Sequence, residues 1–265
     1  MSFYVNHVGE LEYLRAETLD GVRHGFSTRF GGVSEGHLKS LNLGTHRGDD
    51  PDRVAENYRR FCAALEIPVT DLVFAKQIHS DIVAHVGAGN RGEGLEREVP
   101  APRDALITDT PGAALVVFTA DCAPVLFHDP VRCAVGAAHS GWRGTAQDIA
   151  GKTVAAMTAA FGTRAEDLRA AVGPCIGPCC FETDSDVPEA MRAQLGEAAE
   201  EAIEPRGNKF YVNNPRLIFL ELLRAGLRPE HIDVSGECTA CQTDRFWSHR
   251  KVGDRRGSMA NIIAL

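Results

Sequence analysis

Apolar residues recur along this chain in two rhythms, and their alternation predicts helices and strands intermixed rather than segregated. Asp50-Pro51 opens a helix: a capping residue, then proline at the first helical position, then Val54, Tyr58, Phe61, Cys62 and Leu65 on one face. Asn214-Pro215 repeats the signal before Leu217, Phe219, Leu220 and Leu223. Helical spacing also links Ile149, Val154, Met157 and Phe161, and an acidic, alanine-rich stretch from Val187 to Ile203 predicts a further helix with a solvated outer face. Short unbroken apolar runs, Ala113–Ala120, Pro124–Phe127 and Cys133–Ala138, predict buried strands. Between Val83-Ala84 and a strand at Ala105–Ile107, residues 87–103 are rich in Gly, Glu and Arg without apolar periodicity, which predicts a surface loop. No internal repeat or low-complexity segment interrupts the pattern. Intermixed elements, some strands joined by hairpins, predict an α+β or α/β layered fold.

Composition narrows this picture modestly. The 265 residues, 44% hydrophobic, suffice to bury a full core as one large domain or two small ones. A net charge of −8 argues against general nucleic-acid binding, which needs a basic face. The N-terminal MSFYVNHVGELEYLRAE lacks a basic start followed by an apolar stretch, and no run reaches the length of a membrane span. A cytoplasmic location without membrane association is the expectation. The eight cysteines then read as thiols or metal ligands rather than a disulfide framework.

His79, Cys122 and His139 carry the candidate chemistry. Each is a soft or borderline ligand in a distinctive neighbourhood: KQIHSDIV, TADCAPVLF and AAHSGWRGT. Cys122 lies between two apolar runs, at the end or bend of a buried strand, and His139 closes another run before a turn-rich segment. Nitrogen, sulfur and nitrogen suit zinc, and three protein ligands leave one position open, as in a catalytic rather than a structural site. The long separations between the three residues prove nothing by themselves, and buried Cys or His is commonly core.

Eight segments in order, FSTRFGGVSEG, SLNLGTHRGD, KQIHSD, DALITDTPG, TADCAPVLF, AAHSGWRGT, AVGPCIGPCCFE and CTACQTDRFWSHRKVG, resemble the YfiH/YlmD family, also called the laccase-domain or polyphenol-oxidase-type family. The resemblance runs from about Phe26 to the C-terminus. It implies a single domain, residues 1–265, of mixed sheets flanked by helices. It further implies a zinc-dependent purine nucleoside phosphorylase, with adenosine deaminase and methylthioadenosine phosphorylase activities at the same site and one zinc held by His79, Cys122 and His139. Purine nucleosides and phosphate are then the small-molecule partners, and the chain is a monomer or homodimer. One departure bears on the anion site: where the family commonly has paired arginines and a Gly-Arg-Met stretch, this chain has Arg250-Lys251 and Gly257-Ser258-Met259. Lysine lacks the bidentate fork, and serine lacks charge.

Other residues admit two readings each. Arg29, beside Gly31 and Gly32, is the leading phosphate candidate, or a surface arginine at a turn. Asn42 hydrogen-bonds either substrate or local backbone; Gln77 shares a face with His79 if the segment is extended; Arg143, after Trp142, is a substrate clamp or a surface charge. Asp121 either orients a metal ligand or caps its turn, and with Glu182 it is a weak candidate for general acid. Cys238-Thr-Ala-Cys241 has zinc-knuckle spacing, with Cys175, Cys179 and Cys180 as potential partners in a rival four-thiolate site; the Cys175-Ile-Gly-Pro stretch otherwise reads as a turn near the cleft. Two other functions remain open at this point. A copper-dependent phenol oxidase fits the ligand types, but none of the ten histidines forms the His-x-His pairs a multicopper cluster uses. A metal-free hydrolase would use Cys122 as nucleophile and His139 as base.

Overall fold

The computed structural model describes residues 3–265. Two six-stranded mixed sheets form its centre. The first runs in the order Phe3–Val8, Leu11–Ala16, Arg23–Ser27, Met259–Ala264, Ala114–Thr119, Leu72–Phe74. The second runs Ile232–Val234, Arg169–Val172, Ala123–Asp129, Ala134–Ser140, Ala105–Thr108, Val83–His85. Glu182–Thr183, Lys209–Val212 and Ile203–Arg206 form a separate three-stranded sheet, in that order, paired with neither.

Strand alternation explains the layering. In the first sheet Leu115 and Val117 enter a core shared with Leu126, Val135 and Ala137 of the second, so the two sheets pack face to face. The intervening residues Ala114 and Val116 turn the other way, onto Tyr58 and Phe61 of the helix Pro51–Ala64. Val125 and Phe127 likewise face Val154 and Met157 of the helix Ile149–Phe161 and Ile218 of the helix Asn214–Arg224. Both faces of the central strands are therefore buried, which is why they read as unbroken apolar runs rather than alternating ones. Mixed sheets flanked by helices match the expected fold class.

Most boundaries follow the local signals, and three do not. The Asp50 side chain accepts a hydrogen bond from the Asp52 N–H at 2.9 Å and caps its helix as expected. The cap of the helix Asn214–Arg224 is Asn213 instead, accepting from the Arg216 N–H at 3.1 Å, and the Asn214 amide reaches the Ser140 carbonyl. The helix expected over Val187–Ile203 is α-helical only from Asp186 to Leu195; Gly196, at φ +61°, ends it, tighter 3₁₀ turns continue to Ala202, and Ile203 begins a strand. Residues 87–103 form no strand, yet they are not merely a surface loop: Glu93 and Arg103 form a buried ion pair within this stretch, and Gly94, Arg97 and Val99 wall the main cavity.

His24, on the strand Arg23–Ser27, is buried and neutral. Its Nε2 accepts from the Ala16 N–H at 3.0 Å while Nδ1 donates to the Val22 carbonyl, and burial lowers its pKa to about 4. Protonation would set one N–H against another. Because the folded value lies below the unfolded one of about 6.5, the stabilisation is complete above pH 6.5 and is lost as pH falls toward 4, by about 3 kcal/mol. Denaturant midpoints at pH 7 and pH 4 should thus fall more for the unsubstituted protein than for His24→Gln; an equal fall in both would remove His24 from the account.

Candidate metal centre

The turn between the two main sheets builds the site. The strand Ala114–Thr119 of the first sheet leads through Ala120, Asp121 and Cys122 into Ala123–Asp129 of the second, with Asp121 at φ +89°. Cys122 thus occupies the expected bend. His139 is the penultimate residue of the neighbouring strand, paired in register with Pro124. His79 arrives from a segment without regular structure and itself takes φ +63°.

These three side chains converge. Their ligand atoms all lie within 4.8 Å of one another, Cys122 Sγ stands 3.9 Å from His79 Nε2, and the two imidazoles meet edge-on at 4.9 Å between centroids. A tetrahedral zinc separates nitrogen and sulfur donors by about 3.6 Å, given bonds of about 2.0 and 2.3 Å, so the donor set fits that ion with a small contraction. The backbone at Gly141 lies so close that a Cβ there would sit 2.8 Å from Cys122 Sγ and 3.1 Å from His79 Cδ2. The glycine of the HSGWRG segment is required by this approach.

Asp104 organises the centre. One carboxylate oxygen accepts from His139 Nδ1 at 2.9 Å and from the His79 N–H at 3.1 Å; the other accepts from the N–H groups of Ile78 and Ser80 and from the Ser80 hydroxyl. The bond to Nδ1 leaves Nε2 of His139 free for a metal, the arrangement usual for ligating histidines. Burial opposes ionisation of Asp104, but the bonds from His139, Ser80 and Ile78 win and hold its carboxyl well below the usual range. Burial likewise disfavours the Cys122 thiolate, yet His139 and His79 bring the thiol down to about 6. His139, whose charged form burial opposes, is raised to about 9 by Cys122 and Asp104. The centre is therefore built to hold a thiolate, which a metal ligand and a nucleophile both need.

A cavity of about 700 Å³ opens beside the trio. Phe74 and Phe118, edge-on at 5.0 Å between centroids, supply an aromatic wall. Arg47 and Arg256 also line it, and Arg47 Nε and Arg256 Nη1 both donate to Ser258 Oγ at 3.3 Å. Neither arginine has a carboxylate partner among the described residues, and Arg256 Nε is buried without an acceptor. Burial and the adjacent Arg47 lower the Arg256 pKa to about 10. The position where an arginine was missing, Ser258, is thus flanked by one two residues earlier.

The remaining candidates divide. Gln77 lines the cavity, and its amide is paired with the backbone of Phe118, donating to the carbonyl at 2.8 Å and accepting from the N–H at 2.6 Å. Arg29 lies outside the cavity: its fork is taken up by the carbonyls of Lys39 and Thr243, and its plane stacks 3.8 Å from the Trp247 ring. Asn42 is buried, its amide spent on Gly44, Asp49 and the Ser258 N–H, and Arg143 stacks on Trp142 away from the cavity wall. Asp121 does not touch either histidine; its oxygens accept from the Thr239 hydroxyl and the Arg250 N–H. Lys251 is exposed, and Glu182 is exposed and bonded to the Tyr211 hydroxyl. Sequence reasoning missed Asp104, Arg47 and Arg256. For Asp104 a signal existed, since a carboxylate leading directly into a mostly apolar, buried strand must be partnered once buried.

The sequence profile of the family described as multi-copper polyphenol oxidoreductase laccase matches residues 23–265. The chain belongs to this family. Among its relatives, the purine nucleoside phosphorylase YlmD of Geobacillus stearothermophilus is 36% identical over 92% of this chain and 90% of its own. The purine nucleoside phosphorylase of Deinococcus radiodurans is 39% identical over 96% and 93%. The crystal structure of Bacillus licheniformis YfiH superposes with a TM-score of 0.93 at 34% identity, covering 98% of both chains. No helix of the described residues is long and apolar enough to cross a membrane.

Proposed function

We propose that the protein is a zinc-dependent purine nucleoside phosphorylase. The observation that carries this reading is the cavity itself, which is lined both by two arginines without carboxylate partners and by the His79, Cys122, His139 set. An oxidase of phenols has no use for two guanidiniums without carboxylate partners, one of them with a buried Nε that lacks an acceptor, whereas a phosphorylase must hold a phosphate. The names of the relatives support the phosphorylase part of this reading.

In this scheme Arg47 and Arg256 bind phosphate and orient it toward the anomeric carbon of the nucleoside. A phosphate oxygen forms a bond to that carbon as the bond to the purine nitrogen breaks, and the electron pair leaves with the base. Phe74 and Phe118 offer the base an apolar face. His79, Cys122 and His139 would hold the zinc, which supplies Lewis acidity toward developing negative charge. Asp104 keeps the proton of His139 on Nδ1, so that Nε2 remains a donor.

The test is incubation of zinc-loaded protein with adenosine, inosine, guanosine or methylthioadenosine, with and without phosphate, followed by chromatography. Phosphate-dependent ribose-1-phosphate, or its methylthio counterpart, is the expected product; inosine formed from adenosine without phosphate would instead report deamination at the same site. Copper at full occupancy with phenol-dependent oxygen uptake would overturn the reading. A metal-free thiol enzyme predicts that iodoacetamide alkylates Cys122 regardless of chelator, while a zinc thiolate predicts protection that chelator removes.

Arg256→Ala gives a sharper check. Losing charge-assisted bonds of about 1.5–3 kcal/mol should raise KM for phosphate by about 10- to 100-fold while zinc content stays unchanged. Arg256→Lys should recover only part, having charge without the fork. An unchanged phosphate KM in Arg256→Ala would move the anion site elsewhere.

A further inference from the structure

A second convergence of ligating atoms lies behind the Cys122 bend. Cys179 and Cys180 occupy the turn that follows the strand Arg169–Val172, and Cys238 and Cys241 occupy another turn. A parallel bridge between Cys175 and Cys238 brings the two segments side by side. The sulfurs of Cys179, Cys180, Cys238 and Cys241 all lie within 4.8 Å of one another, and Cys241 Sγ stands 3.4 Å from both Cys179 Sγ and Cys180 Sγ. Four sulfurs about 2.3 Å from a tetrahedral ion would be about 3.8 Å apart, inside the observed spread, whereas a disulfide needs about 2.05 Å. All four are free thiols.

The backbone around the cluster suits thiolates. The Gly177 N–H donates to Cys238 Sγ at 3.2 Å, and a Cβ at Gly177 would lie 3.2 Å from Cys238 Cβ and 3.4 Å from Cys179 Sγ. The chain is thus pressed against the sulfurs at a residue without a side chain. Cys175, expected as a possible partner, is buried outside the group and lends it only its backbone.

We propose that Cys179, Cys180, Cys238 and Cys241 form a structural zinc site, distinct from the His79, Cys122, His139 centre. Four protein ligands close the coordination sphere and leave no position for substrate. Each ligating thiol releases its proton to solvent, and the site then carries four thiolates on one divalent ion. Tetrahedral thiolate sets also suit iron, but Cys179 and Cys241 are exposed, and an ion without redox chemistry tolerates that exposure.

Its role is to clamp the two turns that support the catalytic bend. The Ile176 N–H donates to the Asp121 carbonyl at 2.8 Å, and the Thr239 hydroxyl and Arg250 N–H bind the Asp121 carboxylate at 2.7 and 2.6 Å. The Arg250 guanidinium in turn donates to the Cys180 carbonyl at 2.8 Å. Fixing the turns fixes Asp121 and, with it, the backbone that presents Cys122.

Metal counting on the full chain, produced with zinc and purified under reducing conditions, tests this. The double variant Cys179→Ser/Cys241→Ser should lose one zinc equivalent per chain relative to the unsubstituted protein. His79→Ala/His139→Ala should retain the cluster's zinc and, when cobalt-substituted, the strong sulfur-to-metal absorption of a tetrathiolate site. Because the readout is a difference assigned by variant, a failure of the first centre to hold zinc leaves this result intact. Should the cysteine variant not fold, alkylation of the unsubstituted protein decides: all four cysteines should resist iodoacetamide until chelator removes the metal. Equal zinc in the cysteine variant and the unsubstituted protein, iron in the cluster, a Cys179–Cys241 disulfide under these conditions, or free alkylation of the zinc-loaded protein would each overturn the proposal.

Discussion

Replacing Asp104 with Asn is expected to weaken zinc binding by about 10- to 100-fold and to destabilise the fold by about 3–5 kcal/mol. The substitution keeps the shape and removes an acceptor. Asp104 takes hydrogen bonds from three successive backbone N–H groups, Ile78, His79 and Ser80, as well as from the Ser80 hydroxyl and His139 Nδ1. An amide turned either way presents an NH₂ to one of those donor groups. If it faces His139, that ring can recover a bond only by moving its proton to Nε2, which then ceases to be a metal donor. If it faces Ile78 and Ser80, the segment that carries His79 loses its anchor. Competitive chelator titration and thermal denaturation measure both effects. A zinc affinity within about threefold of the unsubstituted protein, well short of the range for such outer partners, would show that the ligands are held without Asp104.

Removing His79, Cys122 or His139 singly is expected to cost nearly all phosphorolysis, about 10³-fold or more, if the metal contributes several kcal/mol to the transition state. Two remaining protein donors hold zinc poorly, so each alanine variant should lose most of the metal at this centre. The fold should survive, because the core between the sheets and the two helix-covered faces does not depend on these side chains. The losses should also be non-additive: a double variant such as His79→Ala/Cys122→Ala should be little worse than either single one. Metal analysis with single-turnover assays checks this. His139→Ala with full zinc at the centre and unchanged turnover would refute the ligand assignment.

Much of the scaffold was legible because its signals are local. Asp50-Pro51 states a capped helix by itself, and the apolar runs ending at Ala120 and Ala138 could only be strands or helices buried on both sides. The helix beyond Gly196 was not, because alanine and glutamate promote helix without revealing that a left-handed glycine stops it. Arg29 shows the same limit at the level of function. Its neighbouring glycines suit an anion loop, but the nearby Lys39 carbonyl together with Trp247 and the Thr243 carbonyl, both remote in sequence, take up its guanidinium.

What the sequence by itself determined is residue chemistry and local conformation: three soft donor residues in distinctive segments, four cysteines in two pairs, and those helices and central strands whose signals are local. What only the tertiary structure decided is which of these meet. His79 reaches Cys122 and His139 because Asp104 gathers the 78–80 backbone, and Arg47 reaches Arg256 across more than two hundred residues of chain to share Ser258. Long-range contacts of this kind leave no periodic trace, since the free energy that selects them comes from burying both faces of two sheets at once rather than from any single segment.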